Sequence, residues 1–214
     1  MPINYSLKVT QIGRASDTAS TARSTSKPTP TAVMAHYCSM DARVELAESI
    51  LDYTFVDKTL CLEALMMAGG PCGTKAMATY NGQLYPVDKN TRLAVVGDRL
   101  LDTVLSEMWF ATGRIKDDET KIRLALTSND ALAVRAESLG LDKCIRVNDG
   151  QAKISPYMNA TTLEALVGAV HLDVGGGGAG FEAVRKVMTR LGFLEHTLLK
   201  AKREVMGHSG FMAP

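Results

Sequence analysis

From Asp41 onward, apolar residues recur every three or four positions, the period of a helix with one buried face. In "RVELAESILDYTF" this spacing sets Leu46, Ile50 and Tyr53 on one side, and in "DKTLCLEALMMAGG" it aligns Leu62, Leu65 and Met66 before a stop at Gly69. The segment 81–90, "NGQLYPVDKN", contains Asn-Gly and a proline and reads as a loop. Leu93, Val96, Leu100, Val104 and Met108 then resume helical spacing as far as Gly113. In "KDDETKIRLALTSNDALAVRAESLG" an acidic helix start is followed by a Ser128 or Asn129 cap, then Leu132, Ala136 and Leu139 and a stop at Gly140. "NATTLEALVGAVHLD" repeats the pattern with Leu163, Leu166, Val167 and Val170, and "FEAVRKVMTRLGF" with Phe181, Val184, Val187 and Met188. No segment sustains period-two alternation. The pattern predicts an all-α, multi-helix domain without internal repeats.

Composition divides the chain into a leader (1–40), a domain (41–200) and a short tail (201–214). "ASDTASTARSTSKPTPTA" offers little to bury, so it cannot offset its ordering entropy and should be flexible. The leader carries Lys8, Arg14, Arg23 and Lys27 against Asp17, and such a basic, Ser-rich start reads either as a plain polar tail or as an organellar transit peptide. Taken with cysteines that fit reduced thiols, the expected setting is intracellular, with cytoplasmic or nuclear and mitochondrial compartments both left open.

Charge and cysteine usage narrow the classes further. The net charge of +1 means that any polyanion must be held by a local patch. No apolar run approaches the ~20 residues of a membrane span. Cys38, Cys61, Cys72 and Cys144 lack C-x-x-C spacing and fit reduced thiols better than a metal knuckle or disulfide framework. "GGGGAG" at 175–180 satisfies G-x-G-x-x-G, but the residues before it have helical spacing, so a turn between two helices is the expected role.

Two segments carry acidic residues on otherwise apolar faces. Asp98 and Asp102 lie one turn apart in "NTRLAVVGDRLLD", with Ala94 one turn earlier, and Glu164 shares a face with Ala160 and Thr161 in the second segment. Brought together, such carboxylates suit a hard divalent cation, Mg²⁺ above all. Alternatively, Asp98 and Glu164 cap neighbouring helix ends or pair with a nearby arginine.

"NTRLAVVGDRLLD" resembles the ribonuclease III family signature, approximately N-E-R-L-E-F-L-G-D-A-V-L-D, and "NATTLEALVGAVHLD" resembles its second acidic block, approximately A-D-x-x-E-A-L-I-G-A-I-Y-L-D. "LDYTFVDKTLCLEALMMAG" and "TSNDALAVRAESLGLDKCI" are similar to the family's opening helices and to its S-N-x-x-L-A segment, in the same order over about residues 43–193. The resemblance implies the ribonuclease III-like endonuclease fold, a homodimer that lays double-stranded RNA across its two subunits, and phosphodiester cleavage with Mg²⁺ or Mn²⁺ held by four carboxylates per subunit. Apolar residues of the signature helix, among them Val96, Leu100 and Leu101, are expected to serve that dimer.

Carried over position by position, Asp98 and Glu164 fall on two family ligands and are the expected catalytic and metal residues; the other two ligand positions hold Ala94 and Thr161. Asp102 repairs nothing, because the family has an aspartate there too. Thr91 stands in place of a common glutamate, and Arg99 in place of a small residue. The expectation is a protein that interacts with double-stranded or structured RNA with weak or absent metal binding and cleavage, as an RNA-processing or mitochondrial-ribosome component with a ribosomal or other protein partner. The alternative is an active Mg²⁺-dependent endoribonuclease. Arg114, Lys116, Lys121 and Arg123 cluster between two helices and are the expected RNA contacts, unless they are a solvated linker. No stretch after 193 is long enough for a separate double-stranded-RNA-binding domain.

Overall fold

A computed structural model of the protein describes residues 40–70, 73–151 and 153–200. The tail, Cys38, Cys72 and all of the leader except Met40 lie outside the described residues. Within them are seven α-helices, one β-hairpin and three short 3-10 turns.

Helix α1 (Met40–Leu51) buries Met40, Val44, Ala47 and Leu51. The expected stripe of Leu46 and Ile50 is only a half-buried flank, and Tyr53 lies past the helix end. Small Ala47 lets α1 approach the core more closely than a bulky side would, so side-chain size misdirected the sequence reading. The connection to α2 (Lys58–Ala64) is stitched from a distance. Asp173 accepts hydrogen bonds from the Tyr53 hydroxyl at 2.6 Å, from Val56 N at 2.8 Å and from Asp57 N at 2.7 Å. Helix α2 ends well before Gly69 because its next residues join another segment: Met67 and Ala68 both donate to Arg146 O at 2.9 Å, and Arg146 N donates to Leu65 O at 2.9 Å.

The expected loop at 81–90 is in part a hairpin. Strands β1 (Ala76–Tyr80) and β2 (Gln83–Val87) pair antiparallel around Asn81-Gly82, both with positive φ (48° and 72°). That two-residue turn is the type I′ geometry that Asn-Gly favours, and its twist matches the strands. Ala78 and Val87 face inward, and Asn81 N donates to Asp41 in the first turn of α1 at 2.6 Å.

Helix α3 (Thr91–Ala111) buries Leu93, Ala94, Gly97, Leu101, Val104 and Leu105. Of the three residues expected to serve a dimer, Leu101 is buried in the domain's own core, while Val96 and Leu100 are half-buried. The exposed apolar side chains of α3 are Val95 and Phe110. Helices α4 (Lys116–Leu126) and α5 (Asn129–Leu139) follow; Ser128 is the cap of α5, its hydroxyl accepting from Ala131 N at 3.3 Å, and Gly140 ends the helix at φ 79°.

Helix α6 (Pro156–Asp173), capped by Ser155, is buried on nearly every side from Asn159 to Val170. Helices α2, α3, α5 and α7 (Gly177–Arg190) surround it. The α3–α6 pair is the tightest contact of the domain. A Cβ on Gly97 would fall inside the backbone of Glu164, and one on Gly168 inside the Leu93 carbonyl. Only glycine at both positions permits that crossing.

Gly97→Ala and Gly168→Ala are each expected to lower stability by about 3 kcal/mol or more, since backbone rather than a mobile side chain occupies the space. Gly178→Ala, at the start of α7 with open space around it, should be neutral to slightly stabilising. Urea-unfolding midpoints of the three variants check this.

Candidate active site

The glycine crossing sets the position of the acidic residues. Asp98 follows Gly97, and the backbone pressed against Gly97 is that of Glu164, so the two carboxylates flank one helix contact. Among the described residues neither carboxylate accepts a hydrogen bond from the N–H groups of a neighbouring helix end, so the capping alternative has no support. Burial first, and then the negative charges of Asp98 and Asp102, push the Glu164 carboxyl up from 4.5 to about 7. Asp102 therefore belongs to the same electrostatic neighbourhood, although its own partner is the Thr127 hydroxyl, which donates to it at 3.0 Å. Asp98 lies 3.5 Å from the Arg99 guanidinium, the arginine pairing the sequence left open. Arg99 is 77% exposed, so that pair is screened by water and adds little.

Ala94 and Thr161, at the two positions where the resemblance implied further ligands, are both buried (6% and 5% exposed). Ala94 is part of the apolar core, and a methyl offers no ligand. Among the described residues, no three His, Cys, Asp or Glu side chains are grouped so as to hold a metal ion. The donors present fit one weakly held hard cation between Asp98 and Glu164, completed by water and substrate oxygens, and do not fit a four-carboxylate site.

Two buried asparagines beside the site were not singled out from the sequence. Asn90, fully buried before the first turn of α3, donates to Ala64 O at 3.1 Å and to the Thr162 hydroxyl at 3.4 Å, while its backbone N–H donates to Met66 O at 3.0 Å. It thereby ties the end of α2, the start of α3 and the face of α6 together. Its side-chain oxygen and that of Asn159 have no protein partner. The available signal was a polar residue immediately before an apolar-periodic helix, which reads by default as a surface cap.

Three of the four cations of the expected basic cluster are paired with carboxylates of α4. Arg114 lies 3.7 Å from Asp118, Lys121 lies 2.6 Å from Asp117 and 3.7 Å from Asp118, and Arg123 lies 3.8 Å from Glu119. Lys116 alone of the four has no ion pair among the described residues. Beyond Asp102, an open groove of about 530 Å³ continues along α3 past Arg99 and Ser106 to Trp109 and Phe110. The "GGGGAG" run supplies Gly175 and Gly176 of the α6–α7 turn and the first turn of α7, with positive φ at Gly175, Gly176 and Gly177, and it follows a helix rather than a strand.

Comparisons with known proteins bear on the family and the fold. Residues 91–175 match the ribonuclease III domain model, a span that contains all four candidate ligand positions. The chain is 33% identical over 149 residues to the ribonuclease 3 of Bordetella pertussis, covering 67% of this chain and 50% of that protein. It is 33% identical over 155 residues to the ribonuclease 3 of Campylobacter jejuni subsp. doylei, covering 69% and 60%. The domain belongs to the ribonuclease III family. Its fold is that of the ribonuclease III nuclease domain of Campylobacter jejuni, with TM-score 0.57 and 29% identity over 72% of this chain and 98% of that one. A second structure of the same nuclease domain gives TM-score 0.54. The chain spans about half to three-fifths of the length of these curated ribonuclease 3 relatives.

The raised Glu164 carboxyl makes stability depend on pH. The folded protein holds this proton up to about pH 7, whereas the unfolded chain releases it near 4.5, so the group's contribution is fully present below 4.5 and is lost as pH rises through 7. Glu164→Gln should leave the melting temperature unchanged at pH 4 and raise it at pH 8. The gain should be on the order of 1–2 kcal/mol, after allowing for screening of this half-exposed group. Melting curves of both proteins across that range test it.

Proposed function

We propose that this ribonuclease III-like protein binds double-stranded or structured RNA as a homodimer and cleaves it weakly or not at all. The observation that supports this reading is the site itself: two carboxylates, Asp98 and Glu164, with buried Ala94 and Thr161 where further ligands would stand. At neutral pH Glu164 is partly protonated, so it must give up a proton before it can ligate a cation. A bound Mg²⁺ or Mn²⁺ would generate hydroxide from water and neutralise the leaving oxygen. Asp98 and Glu164 would hold it, Arg99 would compete for Asp98, and Asp102 would keep the field negative. Loss of two ligand charges removes several kcal/mol of attraction even at an effective dielectric near 20.

The second reading is an active Mg²⁺-dependent endoribonuclease. It is favoured by Asp102, whose charge reaches Glu164 and brings a third carboxylate into the neighbourhood. Cleavage of long double-stranded RNA separates the two. The wild type should show little or no Mg²⁺-dependent cleavage, and Ala94→Glu with Thr161→Asp should raise it, with and without Arg99→Ala. Since position 94 is buried, the double variant should also be less stable without metal and recover with Mg²⁺, which the wild type should not. Efficient wild-type cleavage abolished by Asp98→Asn would decide for the active enzyme.

For assembly, the family resemblance and the exposed Val95 and Phe110 of α3 support a two-fold dimer. Sedimentation should give a dimer at micromolar concentration; a monomer there would remove the two-subunit RNA surface. The acid-poor leader extends the reading to a mitochondrial role beside a ribosomal or other protein partner. A reporter fused to residues 1–40 should then enter mitochondria, and a cytosolic reporter would remove that compartment.

A further inference from the structure

We infer that the outer face of α7, and not the basic cluster around α4, is the surface that grips RNA phosphates. Helix α7 seats Gly180, Val184, Val187 and Met188 against the domain. Its opposite side presents Arg185, Lys186 and Arg190, all exposed. None of the three lies within ion-pair distance of a carboxylate among the described residues. Helical spacing places Lys186 and Arg190 one turn apart on one flank and Arg185 on the other, with Glu182 as the one acidic residue of the helix.

Helix α4 is the contrast. Its three cations face three carboxylates on the same helix, and Lys121 and Arg123 are engaged with them. A phosphate approaching Lys121 or Arg123 must displace an existing pair, which leaves Lys116 as the one unengaged cation of α4 among the described residues, whereas at α7 it meets three unengaged guanidinium and ammonium groups. Two of the three are arginines, whose planar fork matches phosphate oxygens bidentately. The negative end of the helix dipole accounts for one cation in the last turn, Arg190, but not for Arg185 and Lys186 more than three residues earlier.

The chemistry of this face points to a nucleic-acid backbone. None of the large apolar side chains exposed on the described surface belongs to α7. A protein partner would add an apolar or aromatic anchor, and stable membrane attachment an inserted side chain, whereas a phosphate chain needs neither. The inference rests on the proposed RNA-binding function and adds the surface that carries it.

The test uses the full chain and a fluorescein-labelled RNA duplex, with a DNA duplex of the same sequence as competitor. In the wild type, affinity should fall steeply with salt, and the DNA should compete more weakly than unlabelled RNA. The triple variant Arg185→Gln, Lys186→Gln, Arg190→Gln, its fold checked by circular dichroism and melting, should lose at least about tenfold in affinity and lower the log–log salt slope by about 2–3. Lys116→Gln, Lys121→Gln, Arg123→Gln should change affinity less than about twofold. A folded α7 variant that binds with wild-type affinity and slope overturns this inference alone. Equal competition by DNA overturns RNA as the partner of the face. A wild type that binds no duplex RNA at low salt overturns the RNA-binding function and the inference together.

Discussion

The backbones of α3 and α6 touch at Gly97 and Gly168, and nearly everything else in the domain is arranged around that contact. Two helices bearing ordinary side chains pack with axes 8–10 Å apart. Here each helix presents a glycine to the other, and the peptide groups of Leu93 and Glu164 fill the space side chains would take. The consequence is electrostatic as well as steric. Asp98 and Glu164 are neighbours because their helices are pressed together, and Glu164 resists ionisation because the same closeness buries it beside like charge. Asn90 sets the angle of entry into this contact by tying α3 to α2 and α6 before the first turn.

A site built this way can lose chemistry without losing form. The packing frame consists of the glycines, the leucines and Asn90, and the ligands are attached to it. If Ala94 stands in place of a ligand, as proposed, the exchange would remove a charge from a buried position and relieve the repulsion that a metal would otherwise have to balance. The frame would then gain stability from the same change that weakens cation binding, so substitutions of this kind would face little resistance from folding.

Much of this was legible in the sequence, and the exceptions have a common cause. The seven helices follow from the three-to-four spacing, Ser128 and Gly140 from their capping chemistry, and the α6–α7 turn from its glycines. The errors arose where small residues decide burial. In α1 the buried stripe runs through Ala47, and in α3 through Ala94 and Gly97, so a reading weighted by side-chain bulk chose the adjacent flank. The hairpin was signalled by Asn81-Gly82, yet its strands are too short and too mixed, with Pro86 among them, to show alternation. At the site, the spacing located Asp98 and Glu164, while the ion pairs that neutralise Lys121 and Arg123 depend on rotamers that no spacing rule supplies. Asn90 escaped notice because a buried asparagine and a surface cap look alike until the neighbouring segments are in place.

The bond from Asn90 to Thr162 joins residues 72 apart in the chain, and the glycine crossing closes a loop of similar length. Neither contact can form until α4, α5 and the segment after them are looped out between its two halves. Helix pairs close in sequence, such as α4 and α5, meet without that entropic delay. The crossing therefore depends on a long-range encounter, as do the bonds from Asp173 to the α1–α2 connection. Because a ribosome delivers α3 well before α6, a nascent chain carries its most apolar helix faces uncovered until α6 has been made, and protection of that interval is a requirement the native contacts themselves impose.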